Sequence, residues 1–147
     1  MKQLKDLLFG VSLHAVSGST AVGIESIRFD SRETGASDAF VAIRGTEADG
    51  HRFIDGAVKN GVRAVICEEL PQDLADGVTY VEVADTQLAL AVMASNYYGN
   101  PSANLRLVGV TGTNGKTTVC WLLEHILTTH GHQTGLIGTI ETRFSTV

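Results

Sequence analysis

The sequence predicts an α/β protein: a small N-terminal α/β domain followed by the first strand, helix and strand of a second, nucleotide-binding domain. Three observations carry this expectation. Apolar runs of strand length at Ala39–Ile43, Arg63–Cys67 and Val78–Val83 alternate with helix-patterned segments. The run at 39–43 is apolar on both faces, as in a strand covered by helices on either side. Near the C-terminus an apolar run at 105–110 leads into a glycine loop and then a helical pattern, the order in which phosphate-binding loops are built.

Taken in order, the elements are these. Leu4, Leu7 and Leu8 stand at helical spacing and Gly10 ends the segment, which predicts an opening helix over 2–9. Ile24–Phe29 alternates, with Ile27 and Phe29 on one face, and predicts a half-buried strand ended by Asp30. Asp49 caps a helix carrying Phe53, Ala57 and Val58 on one face, with Gly61 in the left-handed position past its end. Asp85 caps a further helix with Leu88, Ala91, Val92 and Ser95 along one stripe, stopping near Gly99. The segment Asn100–Asn104 gathers Pro, Ser and Asn and is the expected linker, giving domains 1–100 and 101–147. Beyond it Val119, Leu122, Leu123, Ile126 and Leu127 share a helical face that closes at Gly131, and Thr134–Ile140 reads as the next strand. One βαβ unit is a small part of a nucleotide-binding sheet, so the chain is expected to be a piece of a longer protein.

Composition narrows the function. The 147 residues are 44% hydrophobic and 18% charged, with a net charge of −5, a globular and mildly acidic balance. No basic stripe is available for a nucleic-acid backbone, and no apolar run approaches the ~20 residues that span a bilayer. Cys67 and Cys120 sit in apolar segments without metal-ligand spacing, which fits reduced thiols and a cytoplasmic location.

The strongest chemical signal is Thr111-Gly112-Thr113-Asn114-Gly115-Lys116-Thr117-Thr118. Gly112 and Gly115 allow a tight turn that points backbone N–H groups inward, and the following helix adds its positive end. Lys116 is placed to reach terminal phosphates and Thr117 to offer its hydroxyl to Mg²⁺. A strict G-x-x-x-x-G-K-[ST] loop would need glycine at 110, where the chain has Val110, so the loop is a variant.

A second constellation lies earlier. Phe29-Asp30-Ser31-Arg32 and the turn Gly45-Thr46-Glu47-Ala48-Asp49-Gly50 place polar side chains at two strand ends, where open sheets bind ligands. Ser31 can bond a phosphate or ribose, Arg32 can pair with an anion, and the glycine turn can close over a base. Ordinary turn chemistry accounts for the same residues, with Asp30 and Ser31 serving backbone groups and Arg32 solvated. His130 and His132 flank Gly131 at a helix end, a place suited to dipole and solvent rather than metal, and Trp121 reads as packing.

Together these residues resemble the Mur ligase family of bacterial peptidoglycan synthesis over nearly the whole chain. The glycine loop looks like its ATP loop, Gly135-Leu136-Ile137-Gly138-Thr139-Ile140 like its next strand, and Asp30-Ser31-Arg32 with Asp49-Gly50 like its UDP-binding N-terminal domain. Within the family it is most similar to the MurE type, which adds the third residue of the stem peptide to UDP-N-acetylmuramoyl-L-Ala-D-Glu. The neighbouring MurF type shares the Asp-Ser-Arg signature but usually carries Ser in place of Thr113. A non-catalytic module that binds a UDP-sugar or ATP is the alternative of a different class.

The resemblance implies that Ser31 contacts the UDP-muramoyl substrate, with Phe29, Thr46, Glu47 and Ala48 beside the uridine. It implies that Gly112 to Thr118 bind ATP, with Lys116 catalytic and Thr117 on Mg²⁺. The chemistry implied is phosphorylation of a carboxylate and attack of the incoming amine on the acyl phosphate, with an amino acid as second substrate. This piece alone is expected to lack turnover, and its last strand, short of neighbours, is expected to favour self-association.

Overall fold

The computed structural model describes residues 1–45 and 48–144. It divides into two compact units, Met1–Leu105 and Arg106–Val147.

The first unit opens with β1 (Lys2–Gln3), α1 (Leu4–Leu7), β2 (Leu13–Ser17), β3 (Gly23–Ile24) and β4 (Ile27–Arg28). It continues with β5 (Ala39–Val41), α2 (Ile54–Lys59), β6 (Ala64–Cys67), β7 (Thr79–Val83) and α3 (Thr86–Tyr97). Five strands form one sheet in the order β2-β7-β6-β5-β4; β4 to β7 run parallel and β2 closes the edge antiparallel to β7. The period-2 alternation of the strands sorts the core into two layers. Ala39, Val41, Ala64, Ile66, Val81 and Val83 face Leu4, Leu7, Ala89 and Met93 of α1 and α3. Phe40, Val65, Cys67 and Tyr80 face Ile54 and Ala57 of α2. The doubly covered strand read at 39–43 is therefore correct in kind: Ala39 to Ala42 are fully buried.

Three expectations change. The opening helix is a single turn, Leu4–Leu7, because Lys2 and Gln3 pair with Ile24 and Gly23 instead. The strand expected over 24–29 is two strands in different sheets: Ile24 pairs with Lys2, whereas Ile27 and Arg28 pair with Ala39 and Phe40. The chain bends between them, and Phe29 leaves the ladder 65% exposed. Along α3 the buried face is Thr86, Ala89 and Met93, and Leu88 of the expected stripe is 63% exposed. This helix is apolar on most sides, so spacing alone could not choose the face that α1 covers. Its start is as read: Asp85 accepts the Leu88 N–H at 2.9 Å.

The second unit holds α4 (Lys116–Thr129), β8 (Gly135–Ile137) and β9 (Thr142–Phe144). In place of the expected βαβ unit it is a helix and a hairpin. Residues 105–110 join no ladder, and β8 pairs antiparallel with β9, with Leu136 opposite Arg143. A strand exists only where a neighbour satisfies its backbone groups, and among the described residues β8 finds that neighbour in 142–144. The strand expected over 134–140 accordingly stops at Ile137, where Gly138 N–H turns back to the Glu141 carbonyl at 3.0 Å. No residue of α4 is fully buried; the apolar face at Val119, Leu122 and Ile126 stays open. No helix among the described residues is long and apolar enough to cross a membrane.

Candidate functional site

In the second unit the glycine loop delivers α4 as expected. Gly115 is the N-cap residue of α4 at φ 78°, a left-handed conformation that glycine adopts without strain, and its carbonyl accepts the Val119 N–H at 2.9 Å. Lys116 Nζ folds back over the loop and donates to the carbonyls of Gly112 and, at 3.4 Å, of Thr113. It forms no ion pair among the described residues, so its charge is held by neutral dipoles alone. Such an amine can exchange carbonyls for phosphate oxygens at small cost. Lys116, Thr117, Cys120 and Trp121 line a cleft of ≈ 170 Å³ whose lining also runs from Leu136 to Glu141. Gly112, Thr113, Asn114, Gly115 and Thr118 are exposed around the loop and do not line that cleft. A hard hydroxyl oxygen at Thr117 beside a lysine and exposed backbone N–H groups is a donor set that fits Mg²⁺ and a polyphosphate.

The hairpin side of this lining is braced by Arg143. Its guanidinium pairs with Glu124 on α4 and Glu141 on the hairpin turn, and lies 5.0 Å from the centre of the Trp121 ring. Trp121 is thus a packing and cation–π partner, in line with the reading from sequence.

In the first unit a 3₁₀ turn, Ser31–Glu33, leaves β4 with Asp30 as its N-cap. Asp30 accepts the Arg32 N–H at 3.0 Å and the Arg32 guanidinium at 2.9 and 2.6 Å. Those hydrogen bonds hold its carboxyl down at about 2. Arg32 is therefore occupied with Asp30, whereas the Ser31 hydroxyl has no hydrogen-bond partner among the described residues. Around the turn, Arg28 pairs with Glu33 at 3.2 Å and reaches Asp38 at 3.8 Å. Asn60, the C-cap residue of α2, donates to the Ser31 carbonyl at 3.1 Å.

The glycine turn leaving β5 is closed by Gly45 N–H to the Ala48 carbonyl at 3.0 Å. Thr46 and Glu47 lie outside the described residues; Ala48 is exposed. Gly50 is required at its base, since a Cβ there would stand 2.7 Å from the Ile43 backbone. β4 and β5 are adjacent and parallel, so the Phe29–Ser31 and Gly45–Ala48 segments leave the sheet at the same, carboxyl end.

Sequence reasoning left His51 unassigned, and the structure gives it a role. Its Nδ1 lies 2.7 Å from Asp49 Oδ1 and its Nε2 accepts the Glu68 N–H at 2.9 Å, which ties the glycine turn to the end of β6. Glu68 in turn accepts both the N–H and hydroxyl of buried Thr86, and Arg44 bridges Asp49, Glu68 and Glu69. An acid two residues before a histidine at a helix start is a local signal that could have suggested the first contact; the Glu68 contact spans 17 residues and could not be read. His130 and His132 are exposed, and no cluster of three metal-ligating side chains occurs among the described residues.

A mainly parallel sheet covered on both faces with a polar turn at its carboxyl end, followed in the chain by a glycine-lysine loop opening a helix, defines an α/β protein. The model of the Mur ligase family catalytic domain matches residues 23–98, and that of the Mur ligase middle domain matches residues 110–146. The chain belongs to the Mur ligase family. It is 47% identical over 140 residues to the UDP-N-acetylmuramoyl-L-alanyl-D-glutamate--2,6-diaminopimelate ligase of Cytophaga hutchinsonii, covering 95% of this chain and 29% of that one. It is 44% identical over 138 residues to the protein of the same name from Bacteroides fragilis, with 94% and 28% covered. Among solved structures, MurF from Acinetobacter baumannii superposes with a TM-score of 0.64 at 29% identity, covering 86% of this chain and 27% of that one. A 2,6-diaminopimelate ligase superposes at TM-score 0.71 over 97% of this chain and 28% of its own, at 22% identity, a likeness of fold. The chain thus spans under a third of the length of the relatives it matches.

Proposed function

We propose that this chain is the substrate-binding and nucleotide-binding N-terminal part of an ATP-dependent amide ligase of peptidoglycan precursor synthesis. The whole protein would add diaminopimelate to UDP-N-acetylmuramoyl-L-Ala-D-Glu in the cytoplasm. Support for that amino acid comes from the relatives at 40–47% identity, which carry it in their names. The MurF reading rests on structural neighbours at lower identity, 29–35%.

The observation that carries the proposal is the presence of two constellations in one chain: a half-buried Ser31 on a braced turn, its hydroxyl without a hydrogen-bond partner among the described residues, and the Lys116 ammonium, held only by loop carbonyls, at the opening of α4. Ser31, with Phe29, Ala48 and the Thr46 and Glu47 positions, would hold the UDP end of the substrate. Gly112, Thr113, Asn114, Gly115 and Thr118 would offer backbone and hydroxyl donors to ATP, and Thr117 its oxygen to Mg²⁺. ATP supplies the phosphoryl group that activates the substrate carboxylate. Lys116 would move from the Gly112 and Thr113 carbonyls onto the phosphate oxygens and stabilise their charge as the group transfers.

Calorimetric titration tests both sites. UDP-N-acetylmuramoyl-L-Ala-D-Glu should bind saturably and lose about tenfold with Ser31→Ala, while ATP·Mg²⁺ should lose about tenfold or more with Lys116→Ala. Binding of neither ligand, or losses crossed between the variants, would overturn the proposal.

A further inference from the structure

The Ser31 carbonyl is a crowded acceptor. It receives the Thr34 N–H at 3.4 Å, the Thr34 hydroxyl at 2.7 Å and the Asn60 amide nitrogen at 3.1 Å. The same Asn60 nitrogen also donates to Thr34 Oγ1 at 3.2 Å. Its two hydrogens thus go to two acceptors on one turn, which fixes the plane of the amide. The Thr34 contacts and the Asp30 cap close the turn locally, as Asp and Thr commonly do. Asn60 is different in kind: it reaches from α2, 29 residues along the chain, and its own backbone N–H is already spent on the carbonyls of Gly56 and Ala57. The outcome is a peptide pinned at its carbonyl from two elements, with the Ser31 hydroxyl left over.

We infer that Asn60 is a positioning residue for the substrate turn, its amide holding the Ser31 peptide from α2 so that the Ser31 hydroxyl is presented to the UDP-linked substrate. The inference rests on the substrate role of Ser31 proposed above. A hydroxyl on an unbraced turn would pay ordering entropy on binding, and a turn fixed in advance does not. Asn60 touches Ser31 only at its backbone oxygen, which Ser31→Ala retains. The two side chains therefore have no direct contact to lose, and any coupling between them reports positioning.

The test is a double-mutant cycle on the affinity of the whole chain for UDP-N-acetylmuramoyl-L-Ala-D-Glu. Ser31→Ala should weaken binding about tenfold and Asn60→Ala about fivefold, while Asn60→Ala added to Ser31→Ala should cost less than about twofold more. Additive losses, or full affinity in Asn60→Ala, would overturn the positioning role alone. No loss in Ser31→Ala would remove the substrate reading of the turn and this inference with it. Should Asn60→Ala not fold, Asn60→Asp replaces it: the carboxylate keeps the shape of the side chain but has no amide hydrogens for the Ser31 carbonyl and Thr34 Oγ1, and it should show the Asn60→Ala loss. Full affinity in Asn60→Asp would count against the inference.

Discussion

The two units of this chain solve the same problem to different degrees. In the first, β5, β6 and β7 are buried on both faces between α1 and α3 on one side and α2 on the other. In the second, α4 has no fully buried residue and Leu136 is the one buried apolar side chain among the described residues. Each nonetheless forms its polar turn: the Ser31 turn is braced from three directions, and the Gly115 loop is set by its own backbone and by Lys116. Glycine geometry and a helix start are local and survive an open helix face, whereas a strand needs a neighbour.

The largest effect should come from removing a core ring. Phe40→Ala should cost about 3–5 kcal/mol and unfold much of the first unit, while Leu122→Ala on the open face of α4 should cost under about 1 kcal/mol. Urea denaturation followed by circular dichroism measures both; similar losses would abolish the contrast between the units.

Thiol chemistry sharpens it. Burial pushes the Cys67 thiol up to about 11, so at neutral pH it is almost wholly protonated as well as inaccessible. Iodoacetamide at pH 8 should therefore label Cys120 at least about tenfold faster than Cys67. Because Cys120 lines the cleft beside Lys116 and Thr117, ATP·Mg²⁺ should slow its labelling. Equal rates, or no protection by nucleotide, would argue against this assignment of the cleft.

Exposed apolar residues also predict behaviour at high concentration. Ile137, Ile140 and Phe144 on the hairpin join the open face of α4, and β8 and β9 each have one unpaired edge among the described residues. We propose that the chain self-associates through the second unit, and that Ile137→Lys reduces it. Light scattering that gives a monomer at all concentrations would contradict this.

The smallest effect concerns pH. Asp30 has its folded value depressed to about 2 by the Arg32 hydrogen bonds, so its contribution is present above the ordinary carboxylate range and is lost as pH falls through about 2. Nuclear magnetic resonance should show the Arg32 side-chain signals unchanged from about pH 7 to about pH 4, with change below about pH 3. A transition near pH 4 would show that the pair does not form.

The pattern of residues revealed much of the first unit. The two-sided apolar run at 39–43 reads as an interior strand and 63–67 as a further strand, and Asp85 before an apolar segment reads as a cap. Other features depended on contacts that no local pattern records. The bend at Glu25–Ser26 follows from two different strand partners, and the buried face of α3 was decided by α1. The βαβ reading assumed a neighbour for 105–110 that the described residues do not supply. Of the sites, the glycine loop and the Asp30 turn were legible because their chemistry is local. Asn60 and Glu68 were not: Asn60 before Gly61 looks like a helix end, and its side-chain contacts lie 26 and 29 residues away.

On the proposed function, the first unit would be a preformed anchor for the UDP-linked substrate at the carboxyl end of its sheet. Hydrogen exchange read by mass spectrometry, with and without UDP-N-acetylmuramoyl-L-Ala-D-Glu, tests it most directly. The prediction is added protection concentrated at residues 29–34 and 43–51. Protection confined to residues 106–144, or none at saturating ligand, would contradict it.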